Sequence, residues 1–342
     1  MPQPTPVRAW RWSAGSFELL DQRVLPQAER WLTIDQATAA AEAIRAMVVR
    51  GAPAIGIVAA YAIAIEAARG APDQEHLAPA FALLAESRPT AVNLFWALER
   101  MRQRLAAGAD AAGLLAEAQA IEAEDLAANQ RMGALGAAYL ASASVVYTHC
   151  NTGSLATAGH GTALGVIRSA WAEGRLARVY AGETRPWLQG ARLTSWELLR
   201  EGLPVLLACD SAAGHLLATA GVDWLIVGAD RITARGDVAN KIGTAGLAAL
   251  ARHHGVRCMV VAPTSSIDPQ VVDGRRITIE ERPAEEVSHW AGQPVAAPGV
   301  PVVNPAFDIT PAELVDVLVT EAGCVERPDE AAIAALLAGR PA

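Results

Sequence analysis

The sequence predicts an α/β protein in two parts: a mostly helical N-terminal domain with a small antiparallel sheet over residues 1–125, and a doubly wound parallel sheet over 126–342. Two observations carry this. From Ser144 onward, runs rich in strand formers at 144–149, 177–182, 204–209, 223–229 and 256–262 alternate with helical periods near 155–170, 189–200, 211–220 and 241–253. Before that point the periodicity is almost wholly helical and is interrupted by Gly- and Pro-bearing breaks. Strand–helix alternation closes into a Rossmann-like parallel sheet, whose ligands bind at the carboxyl ends of the strands.

In chain order, Trp10 and Trp12 alternate with Arg11, and Ser13-Ala14-Gly15-Ser16 reads as a turn. Phe17 to Leu20 and Trp31 to Ile34 pair beside them. Thr33 or Asp35 is expected to cap a helix running to about Val49, which Arg50-Gly51-Ala52-Pro53 ends. Apolar residues from Ala54 to about Ala68 predict a second helix, and Glu66 stops this run short of a membrane span. Helices follow over Glu75 to Glu86, Val92 to Leu105 and Leu114 to about Ala141, with a break at Ser87-Arg88-Pro89-Thr90. Beyond Pro263 the chain reads as Pro-rich and irregular, with a helix starting at Thr310-Pro311.

Composition narrows the function. Hydrophobic residues make up 52% and charged residues 19%, with a net charge of -8 and no basic run. That is a poor surface for nucleic acid, so an anionic ligand must be held by a few placed groups. Cys150, Cys209, Cys258 and Cys324 match no zinc or disulfide pattern, and a reducing cytoplasm is the expected setting. Neither the N-terminus nor the interior suggests a signal region or a membrane segment. Basic residues are almost all arginine, and Lys241 is the only lysine. A compact ammonium kept in an arginine-rich chain suggests a task that a planar guanidinium does not perform, although chance survival explains it equally well.

Residues 144 to 167 read as strand, polar turn and helix, so Cys150 lies where backbone N–H groups and a helix N-terminus converge. Alone, such a thiol reads as a core residue. The other strand ends are also polar: Glu183-Thr184-Arg185, Asp210-Ser211, Asp230-Arg231 and Pro263-Thr264-Ser265. Five on one sheet edge favour a site. Asp230 follows a nearly apolar strand, and desolvation there raises a carboxyl toward the range of a general acid; a helix cap or an Arg231 partner is the plainer alternative. Asn240 and Lys241 are read in the first turn of the next helix, where a cation opposes the dipole unless an anion faces it. Gly159-His160-Gly161 comes too late after its strand for a dinucleotide turn, and the histidines have no metal-ligand spacing.

Several stretches together resemble the motif set of the methylthioribose-1-phosphate isomerase family. They are Arg50–Gly56, Arg88–Trp96, His149–Ser154, Glu183–Pro186, Gln189–Thr194, Gly228–Arg231, Gly236–Thr244 and Asn304–Glu313. The wider superfamily includes ribose-1,5-bisphosphate isomerases and the alpha, beta and delta regulatory subunits of a translation-initiation exchange factor. The resemblance implies a cofactor-free aldose–ketose isomerase of methionine salvage and methionine biosynthesis, a homodimer with no metal. It places the proton donor on Asp230 and a second catalytic group on Cys150, with substrate contacts at Arg50, Gly51, Ala52, Arg88, Gln189, Asn240 and Lys241. Gly182 and Ala212 depart from the family pattern and are expected near the far end of the sugar. An isomerase of another 5-substituted ribose 1-phosphate, such as 5-deoxyribose 1-phosphate, is the alternative. A regulatory subunit is expected to lack the Cys150 and Asp230 pair, and a dinucleotide oxidoreductase needs a glycine turn that is absent here.

Overall fold

The computed structural model describes residues 7–13, 16–88 and 91–339. Strands β1 (Trp10–Ser13), β2 (Ser16–Leu20) and β3 (Trp31–Ile34) form an antiparallel sheet in the order β1-β2-β3. The expected turn residues Ala14 and Gly15 lie outside the described residues, as do Pro89 and Thr90 of the expected break after Ser87.

Five helices follow: α1 (Ala37–Arg45), α2 (Ala52–Arg69), α3 (Gln74–Ser87), α4 (Val92–Ala106) and α5 (Ala111–Ala137). Helix α1 is shorter than the sequence suggests. Thr33 is still in β3, paired with Glu18, so it cannot cap; the helix follows Gln36 and ends before Met47, whose φ is 55°. Helix α2 is apolar on nearly every side, as a helix must be when neighbours cover its whole circumference. Its 18 residues reach a hydropathy of 1.4 and are 72% buried inside the protein, as a core helix is. Asp73 and Asp110 cap α3 and α5 by accepting the N–H groups of His76 and Gly113.

The second part is a seven-stranded sheet ordered β16-β15-β10-β7-β4-β5-β6. Its parallel strands are β4 (Ser144–Thr148), β5 (Leu176–Gly182), β6 (Val205–Ala208), β7 (Trp224–Val227), β10 (Arg257–Val261) and β15 (Val317–Thr320). Helices α6 (Ala163–Ala172), α7 (Ser195–Arg200), α8 (Ala213–Thr219) and α9 (Thr244–His253) connect them. All four residues of β7 are buried, the continuous apolar run expected of a central parallel strand.

Four expectations are corrected. The helix read from residue 155 begins at Ala163: Ser154–Ala156 makes one 3-10 turn, and Gly159 (φ 139°) and Gly161 (φ 91°) hold the chain out of the helix. The helix read from 241 begins at Thr244. Asn240 and Lys241 instead end strand β9 (Val238–Lys241), and Gly243 at φ 102° makes the turn into α9. Strand β9 belongs to a second sheet ordered β11-β8-β9-β14, with β8 (Arg231–Thr233), β11 (Ile267–Asp268) and β14 (Phe307–Thr310). The tail is more regular than its prolines suggest. Beyond α10 (Glu285–Ser288) and the hairpin of β12 (His289–Trp290) and β13 (Gln293–Pro294), it supplies β14, β15, β16 (Gly323–Glu326) and α11 (Glu330–Leu337). Finally, the helix expected at Thr310-Pro311 is a single 3-10 turn over Ala312–Leu314.

Candidate active site

Strand β4 ends at Thr148, and the chain turns on Cys150, which sits at φ 62°, a region that residues with a Cβ seldom adopt. Bonds on both sides hold it there. The Cys150 N–H donates to Thr184 Oγ1 at 2.8 Å, and its carbonyl accepts the Thr194 hydroxyl at 2.6 Å. Both the side-chain and the main-chain oxygen of Asn151 accept N–H groups of Arg50, each at 2.7 Å. Gly51 has φ 98°, and a Cβ on it would fall 2.5 Å from that of Ala156, so only glycine lets the Arg50 segment lie this close to the turn after β4. Behind the thiol, His149 donates from Nε2 to the Ile242 carbonyl at 2.9 Å, and burial pulls its pKa below the usual imidazole range. That bond ties the end of β4 to the turn before α9.

Asp230 follows β7, and its N–H donates to the Ala239 carbonyl at 3.0 Å. Burial pushes its carboxyl above the ordinary carboxylate range, against the pull of Lys241, Arg50 and Arg88. Lys241, at the end of β9, points its ammonium at the Ala306 carbonyl at 2.9 Å and lies 4.6 Å from the centre of the Phe307 ring. Burial pulls its pKa down, and Cys150 and Asp230 oppose that shift. Among the described residues no carboxylate reaches ion-pair distance of Lys241. A buried ammonium bonded to a carbonyl, with no carboxylate at ion-pair distance, is short of negative charge.

These groups line one cleft with two joined chambers. The smaller, about 40 Å³, is walled by Arg50, Cys150, Gln189, Asp230 and Lys241, with Trp187, Arg282, Glu286 and Asn304 opposite. The larger, about 260 Å³, has an apolar side of Ala52, Ile55, Ala91, Ile277 and Phe307 and a rim carrying Arg231 and Arg276. Gly51, Arg88, Asp230 and Phe307 belong to both. Gln189 is buried, and its Oε1 accepts no hydrogen bond among the described residues. An acceptor in that state suits a ligand hydroxyl. Arg88 lies 3.5 Å from Glu280, and Arg282 is held by Glu280 and, at 2.5 Å, by Glu286.

The cleft therefore gathers Arg50, Gly51, Ala52, Arg88, Cys150, Gln189, Asp230 and Lys241. Asn240 is not among the lining residues. It alternates with Ala239 and Lys241 along β9, and its amide donates to Thr244 Oγ1 at 3.0 Å. Gly182 and Ala212 do not line the cleft either; a Cβ on Gly182 would fall 2.7 Å from the Tyr147 hydroxyl, behind Cys150. Pro263, Thr264 and Ser265 line a separate cavity of about 350 Å³ between α2, α4 and α5. Sequence reasoning missed Arg282 and Glu286, which sit in a Pro- and Glu-rich stretch that reads as surface. Asn304 and Phe307 lay in a quoted motif with no chemistry attached to them.

The profile of the Initiation factor 2 subunit family matches residues 48–327. A curated methylthioribose-1-phosphate isomerase of Thioalkalivibrio sulfidiphilus is 60% identical over 337 residues, covering 97% of each chain. The crystal structure of 5-methylthioribose 1-phosphate isomerase from Pyrococcus horikoshii superposes with a TM-score of 0.89 at 42% identity, over 98% of this chain and 96% of that one. A structure from A. fulgidus titled translation initiation factor eIF-2B, subunit delta, superposes at 0.87 and 41% identity, over 97% of this chain and 99% of that one.

Proposed function

The chain belongs to the Initiation factor 2 subunit family, and we propose that within it this protein is the methionine-salvage isomerase that converts 5-methylthioribose 1-phosphate to 5-methylthioribulose 1-phosphate. The observation that carries this is the joint placement of Cys150 and Asp230 with Arg50, Arg88 and Lys241 around one cleft. A sugar 1-phosphate cannot open its ring unaided, because the phosphate blocks the anomeric oxygen. The reaction needs an acid for the ring oxygen, a second group beside C1 and C2, and cations for the phosphate. Asp230, whose burial favours the protonated carboxyl, is the acid. Cys150 is the second group, and the bonds that hold its backbone at φ 62° fix the direction in which its Cα–Cβ bond leaves the chain.

Lys241, Arg50 and Arg88 supply positive charge that is only partly matched within the protein, and a phosphate dianion completes it. Gln189 Oε1 accepts a sugar hydroxyl. Gly51 and Ala52 close the substrate against α2, and Asn240 acts through the start of α9. The 5-substituent lies along Ala52, Ile55, Ala91, Ile277 and Phe307, where an apolar group is favoured. Of the apolar run 54–64, only Ile55 reaches this cleft.

The likeness to the structure named translation initiation factor eIF-2B, subunit delta, favours a second reading, a binding protein without turnover. The paired thiol and carboxyl in the cleft argue for the enzyme.

We further propose a homodimer in the cytoplasm. The edge strand β6 leaves Leu206 and Leu207 47% and 52% exposed, with Leu199 nearby at 64%, a surface suited to a second copy. The four cysteines are free thiols, as suits a reducing compartment. We propose a domain boundary at residue 125, inside α5, on the ground that this helix packs on both α2 and α6. The functional test is direct. Purified protein supplied with 5-methylthioribose 1-phosphate should release the ketose, and the Asp230→Asn protein should not. Tight binding with no ketose would favour the second reading.

A further inference from the structure

The turn that carries Cys150 is folded around a buried carboxylate that no functional motif names. Glu197, on α7, is fully buried. Its Oε1 accepts Asn151 Nδ2 at 2.9 Å and the Leu155 N–H at 3.1 Å. Its Oε2 accepts the Ser154 N–H at 2.8 Å and Arg168 Nη2 at 2.7 Å. The turn wraps the carboxylate so closely that a Cβ on Gly153 would fall 2.3 Å from Oε2. Arg168 is not committed to Glu197 alone, since it also binds Glu201 at 2.6 and 2.8 Å.

We propose that Glu197 is the positioning residue of this site: one carboxylate fixes the turn bearing Cys150 and, through the amide of Asn151, aims Arg50 into the cleft. The inference rests on the reading of Cys150 and Arg50 given above. An amide side chain has one accepting and one donating end. Because Glu197 can only accept, it takes the NH2 end of Asn151 and so turns the oxygen of Asn151 toward Arg50, which donates to it at 2.7 Å. The order Arg50, Asn151, Glu197, Arg168 is thus a line of complementary donors and acceptors with one workable polarity. A buried ion pair is weak evidence for stability. Here the carboxylate is needed because four donors converge on it, and neither an apolar residue nor a neutral amide can accept all four.

The polarity gives the test. In Glu197→Gln the charged Arg168 keeps the remaining oxygen, so the new NH2 faces Asn151 Nδ2 and the Leu155 N–H. Either Asn151 flips and turns a donor on Arg50, or the turn shifts. In Asn151→Asp a second carboxylate sits beside Glu197 with no donor between them. In the double variant Asn151→Asp with Glu197→Gln, the line from Arg50 to Arg168 is restored with its charge conserved: the amide introduced at position 197 donates to the carboxylate introduced at position 151, which accepts from Arg50, and only the Leu155 N–H is left without its acceptor, so the rescue is partial.

Each single variant should lower kcat/KM by about 10²-fold, the usual penalty for a misplaced catalytic group, and the swap should regain at least about tenfold over the slower single. The alkylation rate of Cys150 by iodoacetamide, followed by peptide mass, should change several-fold in Glu197→Gln and return in the swap. That readout needs no turnover, so it stands even if the isomerase reading fails through an inactive natural enzyme. If Glu197→Gln does not fold, Asn151→Ala, which leaves the bonds of Glu197 to Ser154, Leu155 and Arg168 in place, should still lose kcat and change Cys150 alkylation. Near-natural kcat and alkylation in Glu197→Gln or Asn151→Ala would overturn the proposal. So would a swap that is no better than the slower single by either readout, since a purely structural role offers no rescue.

Discussion

Replacing Asp125 by Asn should stabilise the protein at neutral pH and leave turnover alone. Asp125 lies on α5, and both of its side-chain bonds fall on one oxygen: Oδ2 accepts the Ala158 N–H at 2.8 Å and Asn129 Nδ2 at 2.8 Å. Burial pushes its pKa up from 3.8 to about 6, and nearby Glu321 and Glu122 add to the rise. The folded state therefore holds this proton more tightly than the unfolded chain does. Below pH 3.8 both states are protonated and the group is neutral in the balance. Between 3.8 and about 6 the unfolded chain ionises first, so stability falls as pH rises; above about 6 the whole penalty is present. The difference of about two units corresponds to roughly 3 kcal/mol at 1.36 kcal/mol per unit, reduced to roughly 1–3 by partial solvent screening. An Asn oxygen can accept both bonds, and its NH2 then faces the two glutamates. Urea denaturation of the two proteins should show a gain of roughly 1–3 kcal/mol for Asp125→Asn at pH 7, shrinking toward zero by pH 4. Because Asp125 lines the separate cavity, kcat should be unchanged. A variant less stable at pH 7, or a gain that does not vary with pH, would refute the burial argument.

Asp230→Asn should fold normally and lose about 10²–10⁴ in kcat, the range for a positioned acid. The raised pKa of Asp230 means that the active, protonated form is lost as pH rises through it, so the natural enzyme should show a falling alkaline limb in kcat that the variant lacks. Cys150→Ser should reduce kcat far more than it alters KM, because a hydroxyl matches the thiol in size but ionises less readily; a change in KM alone would make Cys150 a packing residue. Lys241→Arg should lower kcat/KM by about tenfold or more, because a planar fork does not fit the space between the Ala306 carbonyl and the Phe307 ring. Unchanged kinetics there would remove the argument for a compact ammonium.

Much of this site was legible because its chemistry sits at strand ends. Cys150 and Asp230 follow apolar runs whose carboxyl ends must meet at one edge of a parallel sheet, so spacing alone brings them together. Lys241 was found by its rarity but placed in the wrong element. The glycine at 243 was read as part of a helix start, whereas it separates a strand from a helix, and β9 sits between β8, just before it, and β14, far along the chain. The same long-range pairing hid β15, whose apolar run stands among prolines. Arg50 and Arg88 could not be told from solvated loop arginines by spacing; the resemblance marked them, and the fold brings both to the cleft. Glu197 was illegible for a different reason. On a short helix it reads as an exposed charge, and its burial comes from a turn more than 40 residues earlier folding over it.

The most direct test of the account is kcat/KM of the natural enzyme on 5-methylthioribose 1-phosphate, 5-deoxyribose 1-phosphate and ribose 1,5-bisphosphate. The apolar side of Ala52, Ile55, Ala91, Ile277 and Phe307 should favour the methylthio compound. Such a pocket separates small apolar groups by only about 1–3 kcal/mol, so the 5-deoxy compound should turn over more slowly but measurably. The bisphosphate should be poorest, since its second phosphate would lie against that surface. A preference for the bisphosphate would contradict the assignment of substrate, and ketose formation from none of the three would contradict the isomerase itself.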